Sequence, residues 1–214
     1  MAILEVSSLY FKHERSPSWV LEELSLNLGA GDTCLIVGDN GSGKTTLGKV
    51  IGGIRDPQNG RVLINGRSVK SVGLKDRPNE VIYMGQTSYL QFFRSTIADE
   101  IRFATKIARQ QPNDMSYVYG WFDLPADQTV KPMDLAYPAM WRLQLLLLSM
   151  VFNPRVLFID EIVAPNAGSQ MKALKAVLED RSRKGQATIL AYQRPLYLPG
   201  ARYTQLRDRR LYEL

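Results

Sequence analysis

The segment GDNGSGKT, residues 38–45, is the part of the sequence that most restricts the fold of this chain. It matches the pattern G-x-x-x-x-G-K-[ST] at every fixed position. The apolar run DTCLIVG (32–38) leads into it, and the residues after it carry apolar side chains at helical spacing. A buried strand, a glycine turn and a helix in this order predict an α/β fold with an anion site at the end of a strand.

The residue types in this segment suit the phosphates of a nucleotide and a Mg²⁺ ion. Glycines let consecutive backbone N–H groups turn toward an anion. Lys44 supplies a positive charge for the β- and γ-phosphates, and the Thr45 hydroxyl is a Mg²⁺ ligand. A glycine turn beside a chance lysine is the alternative, but the flanking strand and helix argue against it. The predicted phosphate-binding residues are Gly38, Asp39, Asn40, Gly41, Ser42, Gly43, Lys44, Thr45 and Thr46.

A second apolar run, VLFIDE (156–161), predicts a buried strand that ends in two carboxylates. Asp160 is predicted to orient Mg²⁺, and Glu161 to polarise the water that attacks the γ-phosphate. Two carboxylates at a strand end can instead cap the next helix. The phosphate loop upstream favours the catalytic interpretation.

The remaining patterns predict a layered α/β domain. Alternating runs predict antiparallel strands in AILEVSSLYF and WVLEELSLNLG before the loop, and a hairpin in GRVLINGRSV after it. Residues from about 95 to 148 have mostly helical patterning. A helix, a strand and a last hairpin follow VLFIDE. We therefore predict one domain over residues 1–214, with a mostly parallel core sheet, an N-terminal antiparallel β layer and an inserted helical subdomain at about 88–150.

Composition indicates a globular domain without a predicted membrane span or secretion signal. With 45% hydrophobic and 22% charged residues among 214, the chain is typical of a globular domain. The N-terminus has no secretion-signal pattern, and the longest apolar stretch, Leu143 to Phe152, is about half the roughly 20 residues that a membrane span needs. The single cysteine, Cys34, is expected to be a buried thiol in a reducing compartment.

The net charge of +6 would suit an anionic membrane surface or nucleic acid. However, the basic residues are scattered, with small clusters only in DRSRK and RDRR. We therefore interpret them as a solvated surface and expect no nucleic-acid partner.

With both motifs placed, the chain resembles the nucleotide-binding subunits of ABC transporters over essentially its whole length. The β layer precedes the phosphate loop, and the gap between Lys44 and Asp160 leaves room for a helical subdomain. The segment NEVIYMGQ (79–86) resembles the Q-loop of that family, whose glutamine, here Gln86, reaches Mg²⁺ and the attacking water. The resemblance implies ATP and Mg²⁺ as ligands, with Thr45, Gln86 and Asp160 at the metal.

Two further segments extend this resemblance. TSYLQFFRSTIADEIRFA (87–104) resembles the corresponding part of the energy-coupling-factor and cobalt-type vitamin and metal importers. In LYFKH (9–13), His13 matches the aromatic residue that the family stacks on adenine, with Phe11 close by. A solvated loop histidine is the alternative for His13.

Three elements depart from the family pattern. In LAYPAMWRLQLLLL (135–148), the serine and glycines of the family's signature are replaced, so that Tyr137, Pro138, Ala139 and Met140 occupy its positions. Their bulk prevents the close approach that a partner's γ-phosphate requires. Gln193 stands where the family has its switch histidine, and Ala167 where it has the D-loop aspartate.

The resemblance and the departures together predict a heterodimer with a second ABC ATPase subunit that has an intact signature. ATP would close this dimer, and hydrolysis, asymmetric or weak because of the degenerate motifs, would reopen it. The pair would drive transmembrane transporter subunits from the cytoplasmic face of the cell membrane. These subunits would dock near Gln86 on Tyr89, Phe92 and Phe93, unless these aromatics belong to the core of the helical subdomain.

Two other functions stay open at this point. The chain could be a nucleotide-gated clamp or regulatory ATPase with little hydrolysis and no transported substrate, which the degenerate motifs favour and Glu161 opposes. A small-molecule kinase is disfavoured, because no acceptor-site residues accompany the phosphate loop.

Overall fold

The computed structural model describes residues 2–86, 92–109, 120–161, 168–194 and 196–214, and within them the chain forms two β-sheets and several α-helices. The strands are β1 Leu4–Phe11, β2 Leu21–Leu28, β3 Thr33–Val37, β4 Asn59–Ile64, β5 Arg67–Ser68, β6 Val81–Met84, β7 Val156–Asp160, β8 Ala187–Tyr192, β9 Arg202–Arg207 and β10 Arg210–Glu213. The helices are α1 Lys44–Ile51, α2 Arg77–Glu80, α3 Ile97–Ala108, α4 Tyr137–Leu146 and α5 Gly168–Arg183.

The core sheet has the strand order β10-β9-β3-β8-β7-β6, and all neighbours pair in parallel except β10 with β9. A second, antiparallel sheet has the order β2-β1-β4-β5. Every residue of β7 is buried, because this strand lies inside the sheet, next to the edge strand β6, and is covered on both faces. The predicted α/β architecture, with its N-terminal β layer and final hairpin, is confirmed.

Helix α1 lies between the two sheets, where Leu47 and Ile51 are fully buried. Gly48 lets this helix pack directly on the strands, since a Cβ there would lie 2.6 Å from Phe158 and 2.7 Å from Tyr83. Cys34 is buried in the same cluster, as predicted, and burial raises the pKa of its thiol. The helix that carries the phosphate loop is therefore held rigidly against β6 and β7.

The other face of the core sheet packs against α3, α4 and α5. Thr96 caps α3 by accepting the Asp99 N–H at 3.0 Å, and a π-helical turn, Leu147–Val151, extends α4. Helical structure does not extend over residues 123–136, apart from a 3₁₀ turn at Pro132–Asp134, where Asp127 instead closes a turn with Thr129. The subdomain boundaries at about 88–150 stay a prediction.

In the described parts of the chain, the helices are all too short or too polar to span a bilayer.

Candidate functional site

A cavity of about 330 Å³ opens where β3, β6, β7 and β8 reach their carboxyl ends. This is the edge at which parallel α/β sheets bind ligands. The phosphate loop and α1 contribute Asn40, Gly41, Gly43, Lys44, Thr45 and Thr46 to its lining. Distant segments contribute His13, Gln86, Asp160, Glu161 and Gln193. The fold thus gathers residues predicted from five separate stretches of sequence around one cavity.

The other three predicted loop residues support Lys44. Its ammonium donates to the carbonyl oxygens of Gly38 at 2.5 Å and Asp39 at 2.8 Å, and lies 3.5 Å from Ser42 Oγ. Burial lowers the pKa of Lys44, while the charges of Asp160, Glu161 and Asp39 oppose that shift. The ammonium is therefore held beside the cavity by acceptors that an anionic ligand can replace.

Glycine is required at two points of this loop. Gly43, at the start of α1, has a φ of +107°, which L-residues with side chains rarely adopt. At Gly38, a Cβ would lie 2.6 Å from the Leu206 carbonyl oxygen. These constraints keep the loop backbone close to the sheet, and the first turn of α1 open toward the cavity.

Thr45 and Asp160 form the candidate metal pair. The Thr45 hydroxyl donates to Asp160 Oδ2 at 2.6 Å, and Asp160 is only 1% exposed at the end of β7. Hydroxyl and carboxylate oxygens are the donors that Mg²⁺ prefers. These residues therefore fit the magnesium ion that the sequence predicts.

Tyr83 belongs to this site although the sequence did not single it out. Its hydroxyl donates to the same Asp160 oxygen at 2.7 Å. Burial, together with the hydrogen bond and charge of Asp160, raises the pKa of Tyr83 well above its ordinary value, so the phenol stays protonated. Tyr83 is partly buried, and a tyrosine removed from water normally has a hydrogen-bond partner. In the sequence, the only indication of this role is that Tyr83 brings a hydroxyl group into the otherwise apolar run VIYM.

Glu161 directly follows β7 and borders the cavity. Its φ is +63°, a left-handed conformation that costs a non-glycine residue about 1–2 kcal/mol. Its backbone N–H donates to the Ala191 carbonyl at 2.9 Å, which anchors this conformation to the end of β8. Strained backbone of this kind is common at functional sites.

The two glutamines reach the cavity from different elements. Gln193, just after β8, donates its side-chain amide to the Asn40 side chain in the phosphate loop. Gln86 follows β6, and its backbone carbonyl accepts a hydrogen bond from the Tyr137 hydroxyl at 2.7 Å. Tyr137, which stands at the position of the signature serine, therefore contacts Gln86, the predicted Q-loop glutamine of the same chain.

The segment around Tyr137 is built as the start of a packing helix. Pro138 lies in the first turn of α4, where proline is favoured, and no side chain caps that end. Arg142, 7% exposed, donates to the Phe122 carbonyl at 2.5 Å and to Ser169 Oγ at 2.9 Å. These bonds tie α4 to α5 and to residues 120–122.

The candidate adenine and docking aromatics have different environments. His13 is exposed at the cavity, and its ring makes an edge contact with Phe11 at 5.3 Å between centroids. Phe92 packs against the core, whereas Phe93 is 69% exposed. Tyr89 and Ala167 lie outside the described residues. The other predicted nucleotide and metal residues line the cavity or contact Lys44, and their roles stay predictions.

The layered α/β core and the phosphate loop at the carboxyl end of β3 are typical of a nucleotide-binding domain of the ATP-binding cassette type. The family model described as ABC transporter matches residues 21–164. The chain therefore belongs to the ABC transporter family, as predicted.

Individual relatives agree with this assignment. A putative ABC transporter ATP-binding protein of Clostridium tetani is 29% identical over 172 residues, which are 80% of this chain and 38% of that protein. One from Pyrococcus furiosus is 27% identical over 192 residues, 88% of this chain and 73% of the relative. The energy-coupling factor transporter ATP-binding protein EcfA1 of Mycoplasma mobile is 30% identical over 116 residues, 54% of this chain and 42% of that protein. The matched part of the chain thus spans less than half the length of two of these three relatives.

Solved structures share the fold. CbiO1 of Clostridium perfringens, described as part of the ABC transporter complex cbiONQ, has a TM-score of 0.80 at 20% identity. The superposition covers 99% of this chain and 87% of the CbiO1 chain. A dimeric ATP-binding cassette bound to ADP and Pi in a post-hydrolysis state has a TM-score of 0.77 at 17% identity, with 98% of both chains covered.

Proposed function

We propose that the chain is an ATP-binding and hydrolysing subunit of a heteromeric ABC transporter. The observation that carries this proposal is the cavity that brings Lys44, the Thr45–Asp160 pair and Glu161 together. These groups supply a phosphate-binding cation, metal-binding oxygens and a carboxylate for the attacking water. The names of the relatives, which describe ABC transporter ATP-binding proteins, support the same function.

Each residue has a role that follows from its contacts. Lys44 exchanges the carbonyls of Gly38 and Asp39 for the phosphates of ATP. Mg²⁺, when bound at Thr45 and Asp160, neutralises charge that develops on the phosphates. Glu161 polarises the attacking water.

The residues around this catalytic centre orient the nucleotide. Gln86 lines the cavity and would reach the metal ion and the attacking water. Gln193 donates an uncharged hydrogen bond to the γ-phosphate, where the family has an imidazole. His13 borders the cavity and stacks on the base.

The partner in this proposal is a second ABC ATPase subunit that has an intact signature. Tyr137 and Pro138 place a bulky ring and a group without an N–H where the family has serine and glycine. The Tyr137 hydroxyl also contacts Gln86 of its own chain. A homodimer would lack a signature at both sites, whereas a heterodimer retains one complete site, formed by this chain's phosphate loop and the partner's signature.

An aromatic and basic surface next to α3 is the proposed docking site for a transmembrane subunit at the cytoplasmic face of the membrane. The carboxylate of Glu100 accepts the backbone N–H groups of Phe93 and Arg94 at 2.8 and 2.7 Å, which fixes the loop that exposes Phe93. The Arg94 guanidinium lies 3.9 Å over the Phe103 ring. Such a surface suits a helix with apolar and acidic residues.

The test is Glu161→Gln in the complex that copurifies with the tagged chain. We expect ATP to bind and turnover to stop, so that radiolabelled ATP stays trapped in the complex after gel filtration. The matched control is Glu179→Gln, at an exposed position on α5 away from the cavity. Unchanged turnover in Glu161→Gln would refute the catalytic role.

A second function is a nucleotide-gated clamp with little hydrolysis. The uncharged Gln193–Asn40 contact beside the phosphate loop favours it, since it provides no cation at the switch position. Copurification separates the two functions: membrane subunits support the transporter, and soluble partners alone support the clamp.

A further inference from the structure

One oxygen of Asp160 accepts two hydroxyl groups. Thr45 Oγ1 lies 2.6 Å and the Tyr83 hydroxyl 2.7 Å from Asp160 Oδ2. An ionised carboxylate is an acceptor only, so both hydroxyls point their protons at this oxygen. These two bonds do not use the other carboxylate oxygen, Oδ1. The Asp160 residue is almost completely buried.

The Tyr83 ring is held in the position that this hydrogen bond needs. In the parallel pair β6–β7, Tyr83 lies opposite Phe158, and the two ring centroids are 5.9 Å apart. The absence of a side chain at Gly48 makes room for the ring beneath α1. Strand register, a neighbouring ring and a glycine on α1 therefore fix where the hydroxyl lies.

The position of the Thr45 proton decides which way the Thr45 lone pairs face. A hydroxyl has one proton and two acceptor lone pairs. Because the proton is directed to Asp160 Oδ2, the lone pairs remain available on the cavity side, where a cation would bind. Tyr83 holds Asp160 in the rotamer that sets this orientation.

We propose that Tyr83 is a positioning residue for the metal-binding pair Thr45–Asp160, so that its hydroxyl raises the affinity of the site for a divalent cation. This inference rests on the proposed nucleotide-binding function. Residues that hold metal ligands through hydrogen bonds typically change metal affinity by about 10- to 100-fold when they are removed.

The experiment measures Mn²⁺ binding to the full chain by electron paramagnetic resonance, in the presence of the non-hydrolysable ATP analogue AMP-PNP. We expect Tyr83→Phe to raise the Mn²⁺ dissociation constant about 10-fold. Binding of a fluorescent ATP analogue in EDTA should stay within about 2-fold of the parent, because the phosphate loop is untouched. This difference separates a metal-positioning role from a general loss of structure.

Tyr203→Phe is the matched control. The Tyr203 hydroxyl also bonds within the chain, to the Leu196 carbonyl at 3.0 Å, but Tyr203 does not line the cavity. We expect this variant to bind Mn²⁺ like the parent. In an Asp160→Ala background, Tyr83→Phe should have no further effect on Mn²⁺ binding, because the acceptor of its hydrogen bond has been removed.

Equal Mn²⁺ affinities of Tyr83→Phe and Tyr203→Phe would overturn the proposal, and so would an undiminished effect of Tyr83→Phe in the Asp160→Ala background. If the parent chain bound no AMP-PNP at any Mn²⁺ concentration, the nucleotide-binding function itself would be wrong, and this inference with it. Melting temperatures of all variants check that each is folded.

Discussion

The phosphate loop with its facing carboxylates and the start of α4 are two regions that a member of this family would use for nucleotide, and they are built in opposite ways. In the first region, Lys44, Thr45 and Glu161 border a cavity and keep exchangeable contacts. In the second, Tyr137 is 36% exposed but its hydroxyl contacts Gln86 of its own chain, and the helix behind it is buried. The first region can receive a ligand, whereas the second connects parts of the same molecule.

The largest effect on stability is expected at Arg142, because its hydrogen bonds hold α4 in place. Arg142→Met leaves the Phe122 and Asp123 carbonyls and Ser169 without this donor. Each buried acceptor left without a partner costs about 1–3 kcal/mol of unfolding free energy, and this variant leaves more than one. Urea denaturation should show a lower midpoint with an unchanged slope.

Arg102→Met is the control for Arg142. Arg102 lies on the exposed face of α3, where it pairs with Asp99 in a solvated ion pair. Such pairs contribute about 0–1 kcal/mol. If both variants lost the same small amount of stability, the α4 region would not have the structural role inferred from its contacts.

The next effect is expected in the ligand-binding region. Lys44→Met removes the ammonium that would replace its loop carbonyl contacts by phosphate contacts. We expect a roughly 10- to 150-fold weaker binding of a fluorescent ATP analogue, since a hydrogen bond to a charged group contributes about 1.5–3 kcal/mol. The unfolding free energy should change little.

Lys172→Met, on the exposed side of α5, is the matched control and should bind like the parent. A loss of stability in Lys44→Met as large as that in Arg142→Met would contradict the division between a binding region and a packing region.

The two regions also differ in how well the sequence predicted them. The groups of the binding region lie in short contiguous motifs, so local spacing located Lys44 and Asp160 and the family resemblance located Gln86. The hydrogen bonds that support them join residues far apart, 77 positions between Tyr83 and Asp160 and 51 between Tyr137 and Gln86. Such partners depend on strand register, and a slip of one residue would turn Tyr83 to the opposite face of the sheet. Local patterns do not contain that information.

A smaller effect is expected from Tyr137→Phe. It removes the hydrogen bond to the Gln86 carbonyl, at an exposed site where such a bond contributes about 0.5–1.5 kcal/mol. Amide hydrogen exchange at residues 84–86 should become roughly 2- to 10-fold faster, because local opening becomes easier. Tyr197→Phe, 82% exposed, should leave exchange unchanged. Equal exchange in both variants would show that Tyr137 does not hold this segment.

The smallest effect is expected when the signature residues are restored. In the isolated chain, this change should leave ATPase activity unaltered. In the triple variant Tyr137→Ser, Pro138→Gly, Ala139→Gly, the new serine and glycines would serve only a phosphate bound by another subunit. ATPase activity of the purified chain should therefore equal that of Tyr137→Phe, which controls for the lost contact with Gln86. In the copurified complex, the triple variant should raise turnover at the partner's site. A rise in the purified chain alone would mean that two identical copies form the working site, and the asymmetric assembly would then be wrong.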